Sequence, residues 1–548
     1  MLLTGSQLTY RGIRPMHRLG DLARVLALHT PFAALVAAHP SPVCIKAVPS
    51  SPLPGDAQAG RDMISGIFCL AGQTIEKENL GWLPAQASVE WLEALHGFSW
   101  LRDLRSVGTE RARRMAREMV SGWASTFSRP HEIAWRPDII GSRLVSWISF
   151  YDFFCASADD EFRASYFASL IQQARHLDKA LPKNLSGLAR LRALKGLVWA
   201  GLALEDSEQW LERALTGIFA EIEDQILPDG GHISRNPQAT FEWLHSLIDL
   251  RAGLAAACIE APAELLQAIE RLSVAVRFFR HADGAFTQFN GADAGNGHLC
   301  DAVLAKTGAR TMLPTVLPDS GYHRLQQGRA SLIMDAGAPI LCAAREAAHA
   351  GLLSFEYSYG RDRVFVNCGA AGTRPARWRR VLRSTLAHCA LSIDNRNAMP
   401  LDGDGLMLGR PAVRANRQDN DGALIIEAAH DGYAQRFGIA HHRCLCLQNN
   451  GSLLTGEERL SGGKTAGFAA RFHLHPNIEA IFEGDEIILR ARSGTTWRFT
   501  AEGADMSLEE SIYAGGSLTP AVCAQIILSG KTSSGQTCVR WRMEKQAS

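Results

Sequence analysis

The chain reads as a helical architecture followed by a β architecture, and three observations predict that order. From Ser88 to Phe279 apolar residues recur at helical spacing, segment after segment. Beyond Pro314 that spacing gives way to short runs in which apolar and polar residues alternate. At 548 residues the chain also exceeds what one ordinary core supports, so at least two domains are expected. Helices joined by short links fold back on one another, most naturally as an α/α toroid of hairpins, and the strands after them build an antiparallel β-sandwich. The expected division is 1–85 as an N-terminal arm and lead-in, 86–315 as the toroid and 316–548 as the sandwich, with the change of grammar near 310–320.

The run Leu22–Leu28 is apolar but broken by Arg24, and no small-residue cleavage site follows it cleanly, so an amphipathic N-terminal helix is expected rather than a secretory signal. Residues 39–60, rich in Pro, Ser and Gly, read as an extended arm, and Ile64–Glu78 as a strand-rich lead-in. Ser88 is placed to cap the first helix of the array, which the spacing carries through Leu101. Further helices are expected over Glu110–Phe127, Arg143–Ala156, Asp160–Lys179, Leu185–Leu204, Ser207–Leu227, Pro237–Ala257 and Pro262–Phe279. Two of them open on proline, whose missing N–H costs nothing at the first helical position. Pro228-Asp-Gly-Gly231 and Ala282-Asp-Gly284 are turns between helices.

In the C-terminal part strands are expected at Ser331–Met334, Leu353–Tyr359, Val364–Cys368, Leu424–Ala428, Gln435–Leu447, Leu453–Leu460, Gly467–His475, Glu486–Arg492, Thr495–Thr500 and Cys523–Leu528. Asn449-Asn-Gly451 and Glu483-Gly-Asp485 sit where hairpin turns belong. Within Leu353–Tyr359, Ser354, Glu356 and Ser358 face one way and Phe355, Tyr357 and Tyr359 the other. His349 precedes this strand, and His388 lies in a later strand-like run, Leu386–Asp394, so two adjacent strands would hold both imidazoles on one sheet face.

Composition excludes several classes. A net charge of +1 gives the whole chain no electrostatic pull on nucleic acid. No stretch of 18 uninterrupted apolar residues offers a membrane span. The twelve cysteines are scattered, and the one close pair, Cys444 and Cys446, has a spacing that suits neither a zinc knuckle nor a redox motif. There is no phosphate-binding Gly loop and no G-x-S-x-G elbow.

Several segments, in order, carry a resemblance: Leu95–Arg102, Trp135-Arg-Pro-Asp138, Asp229–Pro237, Gly351–Glu356, His430-Asp-Gly-Tyr433 and Arg471–Pro476. Together with the toroid-then-sandwich order, they resemble the heparinase II/III family of polysaccharide lyases. The resemblance implies β-elimination on a uronate-containing, acidic polysaccharide. That chemistry needs a group to neutralise the uronate carboxylate, a base for the C5 proton and an acid for the leaving oxygen. It also implies a periplasmic or envelope location, whereas the lack of a clear signal points to the cytoplasm.

Residue by residue, the resemblance implies the following. Asn236 would neutralise the carboxylate, although Asn before Pro is also an ordinary helix cap. Arg235 and His232 beside it, with Glu356, would bind substrate. His349 matches the second histidine of a His-x-His-x-Asp pattern whose other positions hold Ala347 and Gly351. His349 and His388 would serve the base or hold a structural zinc ion with Asn367; a plain hydrogen-bonded histidine pair is the alternative. The loop His281–Gly291 resembles the segment near the family's acid tyrosine but contains none, leaving Tyr433, Tyr322 and Tyr357 for that role. Asp293 and His298 would line the pocket. Apart from the resemblance, His473 and His475 share one strand face, where they would pair as ligands or stabilise the sandwich. Two other readings remain open. One is a non-catalytic glycan-binding or exopolysaccharide-assembly protein on the same scaffold; the other is a hydrolase built on paired carboxylates such as Asp283 and Glu356.

Overall fold

The computed structural model describes residues 45–49, 53–76, 81–308, 312–339, 347–370, 376–402, 408–420, 422–516 and 519–547. The expected N-terminal amphipathic helix lies outside them, as do residues 39–44 and 50–52 of the expected arm. Helices fill the N-terminal part and antiparallel sheets the C-terminal part, with the last helix of the array ending at Lys306 and the first strand after it starting at Val316. Among the described residues no helix is long and apolar enough to cross a membrane. By contacts the chain forms two compact units: residues up to Glu221 with Asp249–Pro262, and Ile222–Ile248 with Ala263 onward.

In the first unit a helix, Ala57–Ile64, capped by Asp56, lies in the expected arm, and the strand-rich lead-in that follows is a hairpin of Ile67–Leu70 and Gln73–Glu76. The arm reading of 39–60 thus stops short, because Asp56 accepts from two helix N–H groups and starts a helix inside it. Ser88 caps Val89–Gly97 through its hydroxyl, which accepts from Trp91 N at 3.1 Å. The chain then leaves that helix through Phe98 in the left-handed region and re-enters one at Leu101–Val107, a break that apolar spacing does not reveal. The helix expected from Arg143 begins earlier, at Pro137, because proline suits its first turn. Asp160–Ala180, Gly187–Ala203 and Glu208–Gln225 lie within a residue or two of expectation.

This helical core is organised around Arg143, which is wholly buried. Its guanidinium sits 3.7 Å from the centroid of the Trp123 ring. It donates to Gln173 Oε1 at 2.6 Å, to the His96 carbonyl at 2.8 Å and to the Ala134 carbonyl at 3.0 Å. Neutral oxygens and a π face, rather than a carboxylate, thus replace water around the cation. Glycines set the closest helix contact: a Cβ on Gly196 would lie 2.4 Å from Gly141 Cα, so Pro137–Ser149 and Gly187–Ala203 meet backbone to backbone.

In the second unit a five-stranded meander runs Val316–Leu317, Tyr322–Gln327, Ala330–Asp335, Phe355–Tyr359 and Asp362–Phe365. Phe355 and Tyr357 enter the sandwich core and Tyr359 packs against it, while Glu356 and Ser358 face away, as the alternation requires. An eight-stranded sheet takes the strand Gln536–Lys545 between Thr496–Glu502 and Leu453–Ser461, so this strand joins two hairpin runs. A four-stranded sheet orders Asp505–Tyr513, Ala521–Lys531, Gly467–His473 and Leu391–Ile393. The expected strand Gln435–Leu447 is interrupted: Ala434–Phe437 is a helical turn, Gly438 reverses at φ +70° and the strand starts at Ala440. Leu386–Asp394 is likewise not one strand, since Thr385–Ala387 is a 3₁₀ turn and only Leu391–Ile393 pairs.

A charged chain runs through the sandwich core. Glu458 accepts from Arg443 Nε at 2.8 Å and meets His441 Nε2 at 2.7 Å, and His441 Nδ1 lies 3.1 Å from His430 Nε2. Burial alone would raise the Glu458 pKa, but Arg443 and His441 outweigh it and hold it down to about 2. Because the folded value is depressed, this carboxylate stabilises the fold above the ordinary carboxylate range, and that contribution is lost as pH falls toward 2. Glu458→Ala leaves Arg443 buried without a counter-charge, and a destabilisation of about 3–5 kcal/mol is expected in denaturant melts at neutral pH, shrinking as the pH is lowered.

Candidate active site

Every residue that the sequence nominated lies in the second unit. The turn before the helix Pro237–Ala256 is tied down by Asp229, which accepts from Gly231 N at 2.9 Å and Ser320 N at 2.6 Å. Arg235 then takes φ +60°, and Asn236 caps the helix. Asn236 Oδ1 accepts from Gln238 N at 2.7 Å and Ala239 N at 3.0 Å, and Nδ2 donates to the Asn290 carbonyl at 2.9 Å. A carboxamide nitrogen has two hydrogens, so one donor is left beyond these bonds.

Asn290 and Gly291 form a left-handed pair, at φ +49° and +82°. Asn290 Nδ2 donates to Tyr322 Oη at 2.8 Å and Asp335 Oδ2 at 3.1 Å, while its Oδ1 accepts from His349 N at 3.2 Å. A side chain on Gly291 would meet both nominated groups: its Cβ would lie 3.5 Å from Asn236 Nδ2 and 3.6 Å from His349 Nε2. The absent side chain therefore leaves a small space on which a carboxamide N and an imidazole N both border.

The histidines form a directed pair. His388 Nδ1 lies 2.7 Å from the Ser384 carbonyl and so must carry the proton it donates there. Its Nε2 then accepts from His349 Nδ1 at 3.2 Å, which leaves His349 Nε2 as an acceptor toward Gly291. Burial, reinforced for His349 by His388, keeps both neutral: the His388 pKa falls to about 4 and that of His349 lies well below the ordinary histidine range. Neither histidine is on a strand, which corrects the expected shared sheet face; a loop and a 3₁₀ turn bring them together.

The residues do not fit a zinc ion. The two imidazoles contact each other where an ion would have to sit between them. Asn367 Oδ1 accepts from Cys389 N at 3.0 Å and Asn367 Nδ2 donates to Glu356 Oε1 at 3.2 Å, so its side chain is committed. Gly351 backs onto His388, with room for no aspartate: a Cβ there would lie 2.6 Å from the His388 ring. Among the described residues no three His, Cys, Asp or Glu side chains group as metal ligands.

Other nominated residues turn inward. Arg235 is buried in an ion pair with Asp335, donates to the Ser320 carbonyl at 2.7 Å and lies 5.0 Å from the Tyr322 ring centroid, so it organises the turn rather than meeting substrate. Glu356 is also buried: Oε1 accepts from Gln288 N and Asn367 N at 3.0 Å each, and Oε2 meets His281 Nε2 at 2.9 Å. It faces no cleft, and Asp283 pairs with Arg363 at 2.9 Å, so the paired-carboxylate arrangement does not form. His232 accepts from Ser234 N at Nδ1, 3.1 Å away, and burial lowers its pKa to about 4. Tyr433 is buried in the sandwich and donates to the Leu391 carbonyl at 2.8 Å, not toward a cleft. Tyr322 likewise gives its proton to the Arg235 carbonyl at 2.7 Å, and Tyr357 lies in the sandwich core. Asp293 is half-buried and His298 exposed. His473 spends Nδ1 on Ser511 at 2.8 Å and Nε2 on the Leu386 carbonyl at 3.0 Å, so it stabilises the sandwich rather than pairing with His475.

Sequence reasoning missed Asn290, Asp335, His281, Gln288 and Tyr513. Tyr513 Oη accepts from Arg363 at 2.6 Å and from Gln288 at 3.0 Å, which leaves its own proton to give, and burial raises its pKa to about 12. The only signal in the sequence was the polar run Thr287-Gln-Phe-Asn290 inside a turn-rich loop.

Residues 68–300 match the family described as heparinase II/III N-terminus, and residues 309–542 match the heparinase II/III-like C-terminal family. The chain belongs to the heparinase II/III-like family, with its helical toroid followed by antiparallel β-sheets. FtsZ-localized protein C of Caulobacter vibrioides (strain NA1000 / CB15N) is 29% identical over 536 residues, covering 93% of this chain and 91% of that protein. The crystal structure of heparinase III superposes with a TM-score of 0.74 at 13% identity, over 96% of this chain and 92% of that one. A mutant of the heparan sulfate lyase HepC from Pedobacter heparinus gives 0.64 at 16% identity, over 90% and 83%. At those identities the structures speak for the fold.

Asn236→Ala removes the cap acceptor and is expected to cost about 1 kcal/mol in a denaturant melt, most of which Asn236→Ser restores. An unchanged Asn236→Ala melt would refute the capping role.

Proposed function

We propose that this chain is a polysaccharide lyase that cleaves an acidic, uronate-containing glycan by β-elimination. The observation that carries this reading is the convergence of Asn236 Nδ2 and His349 Nε2 beside Gly291. The uncommitted N–H of Asn236 would hydrogen-bond the uronate carboxylate and stabilise the charge that develops as C5 loses its proton. The helix N-terminus that Asn236 caps favours the same negative charge. His349, neutral and with its lone pair outward, would accept that proton at Nε2, while His388 holds its ring through Nδ1. Tyr513, whose proton has no acceptor among the described residues, is the residue we assign to the leaving oxygen.

A second reading is a glycan-binding protein that has kept the scaffold without the chemistry. It is favoured by the inward commitment of Arg235, Glu356 and Asn367. The name of the FtsZ-localized relative describes a location, not a reaction, and is compatible with it.

Ultraviolet absorbance of the protein with heparan sulfate, hyaluronan, alginate and native exopolysaccharide decides between them, since elimination creates a conjugated unsaturated uronate. Under the lyase reading the signal rises, and His349→Ala lowers kcat by about 100-fold or more. No signal alongside saturable binding would favour the second reading. Because the His349 pKa lies below its ordinary range, the base stays neutral across neutral pH. A kcat/KM that is flat through neutrality, with its acid limb displaced well below the ordinary histidine value, is therefore expected.

A further inference from the structure

On the polar face of the five-stranded meander, a cavity of about 400 Å³ is lined by Arg277, Arg280, Arg324, Arg329, Arg361 and Ser331, among others. Its two aspartates are already paired, Asp301 with Arg280 at 2.7 Å and Asp283 with Arg363 at 2.9 Å. Arg324 is buried, and no carboxylate pairs with it among the described residues. Instead it donates to the carbonyls of Phe278 at 2.5 Å and Arg280 at 3.1 Å and to Gln326 Oε1 at 3.1 Å. Two further buried polar atoms there, Arg324 Nε and the Ser331 hydroxyl, have no hydrogen-bond partner among the described residues.

A buried guanidinium without a counter-charge is expensive, and carbonyl dipoles offset only part of that cost. Desolvation accordingly lowers the Arg324 pKa, to about 10. At the exposed edge of the cavity Arg329 and Arg361 have no ion-pair partner among the described residues either. Guanidinium groups arriving from the strand Tyr322–Gln327, from the turn that follows it and from the turn at Gly360 can surround one anion on several sides. A planar carboxylate takes one fork, whereas the oxygens of a tetrahedral group can use several. The volume suits a ligand of sugar size.

We propose that this cavity binds a tetrahedral oxyanion ester on a small sugar, a sulfate or a phosphate, with Arg324 as its buried counter-charge and Arg329 and Arg361 as the outer clamp. The cavity includes neither Asn236 nor His349, so the inference stands whether or not elimination occurs.

Calorimetric titration of the full chain with glucose 6-sulfate, glucose 6-phosphate, glucuronate and plain glucose tests it. Saturable binding of at least one of the two esters is expected, weakening as salt rises. The exposed pair Arg329→Ser/Arg361→Ser, whose melt should match the parent, is expected to weaken that binding at least tenfold. A preference for the sulfate ester identifies a sulfated ligand and a preference for the phosphate ester a phosphorylated one; both support the site. Binding of neither ester, unchanged affinity in the double variant, or glucuronate binding as tightly as the esters would overturn it. Absorbance with uronate glycans reads the elimination chemistry separately.

Discussion

The buried carboxylate of Glu356 is the constraint on which the candidate site depends. Its two oxygens receive or face Gln288 N, Asn367 N and Nδ2 and His281 Nε2, groups drawn from the loop 281–291 and from the exit of the meander. A carboxylate so enclosed persists only while those donors surround it, because the alternative is an unsolvated charge. Loop and sheet are therefore fixed together. Asn290 and Gly291, two and three residues beyond Gln288, inherit that position and stand between the helix cap and the histidine pair.

A second tier of buried polar groups does the same for the turn before the cap. The ion pair of Arg235 with Asp335 would be worth little at a surface, but here both partners are buried and the arginine backbone is left-handed. Tyr322 and Asn290 satisfy the remaining oxygens, Tyr322 by donating to the Arg235 carbonyl and Asn290 by donating to Asp335. With the Arg235–Asp335 pair so enclosed, the backbone at Arg235 is held in place and Asn236 enters the helix in one orientation.

Much of the architecture was legible in the sequence because it follows from periodicity. Apolar spacing located most long helices to within a few residues, and strict alternation in Leu353–Tyr359 assigned Phe355 and Tyr357 to the core. Breaks that depend on one residue's backbone were not legible: Phe98 ends a helix in the left-handed region, and Gly438 splits an apparent strand. Strands with too many charges to read as apolar runs, such as Val413–Asn420 and Asp505–Tyr513, were also missed. The site divides the same way. His349 and Asn236 could be nominated from local pattern. Whether Arg235, Glu356 or Tyr433 faced solvent or interior could not, since each meets at least one partner far away in sequence, Asp335, His281 and Leu391 respectively.

The contact between Gly141 and Gly196 bears on how this fold can change over time. Each position lacks a side chain because the other helix's backbone occupies that volume. Neither can accept even a methyl group unless the two helices part, and parting them would unseat the aromatic shell around Arg143, which belongs to the same helix as Gly141. The two sites are thus expected to drift as one: a lineage that gains bulk at 141 must first find a new spacing for both helices, so the toroid's geometry is inherited as a block.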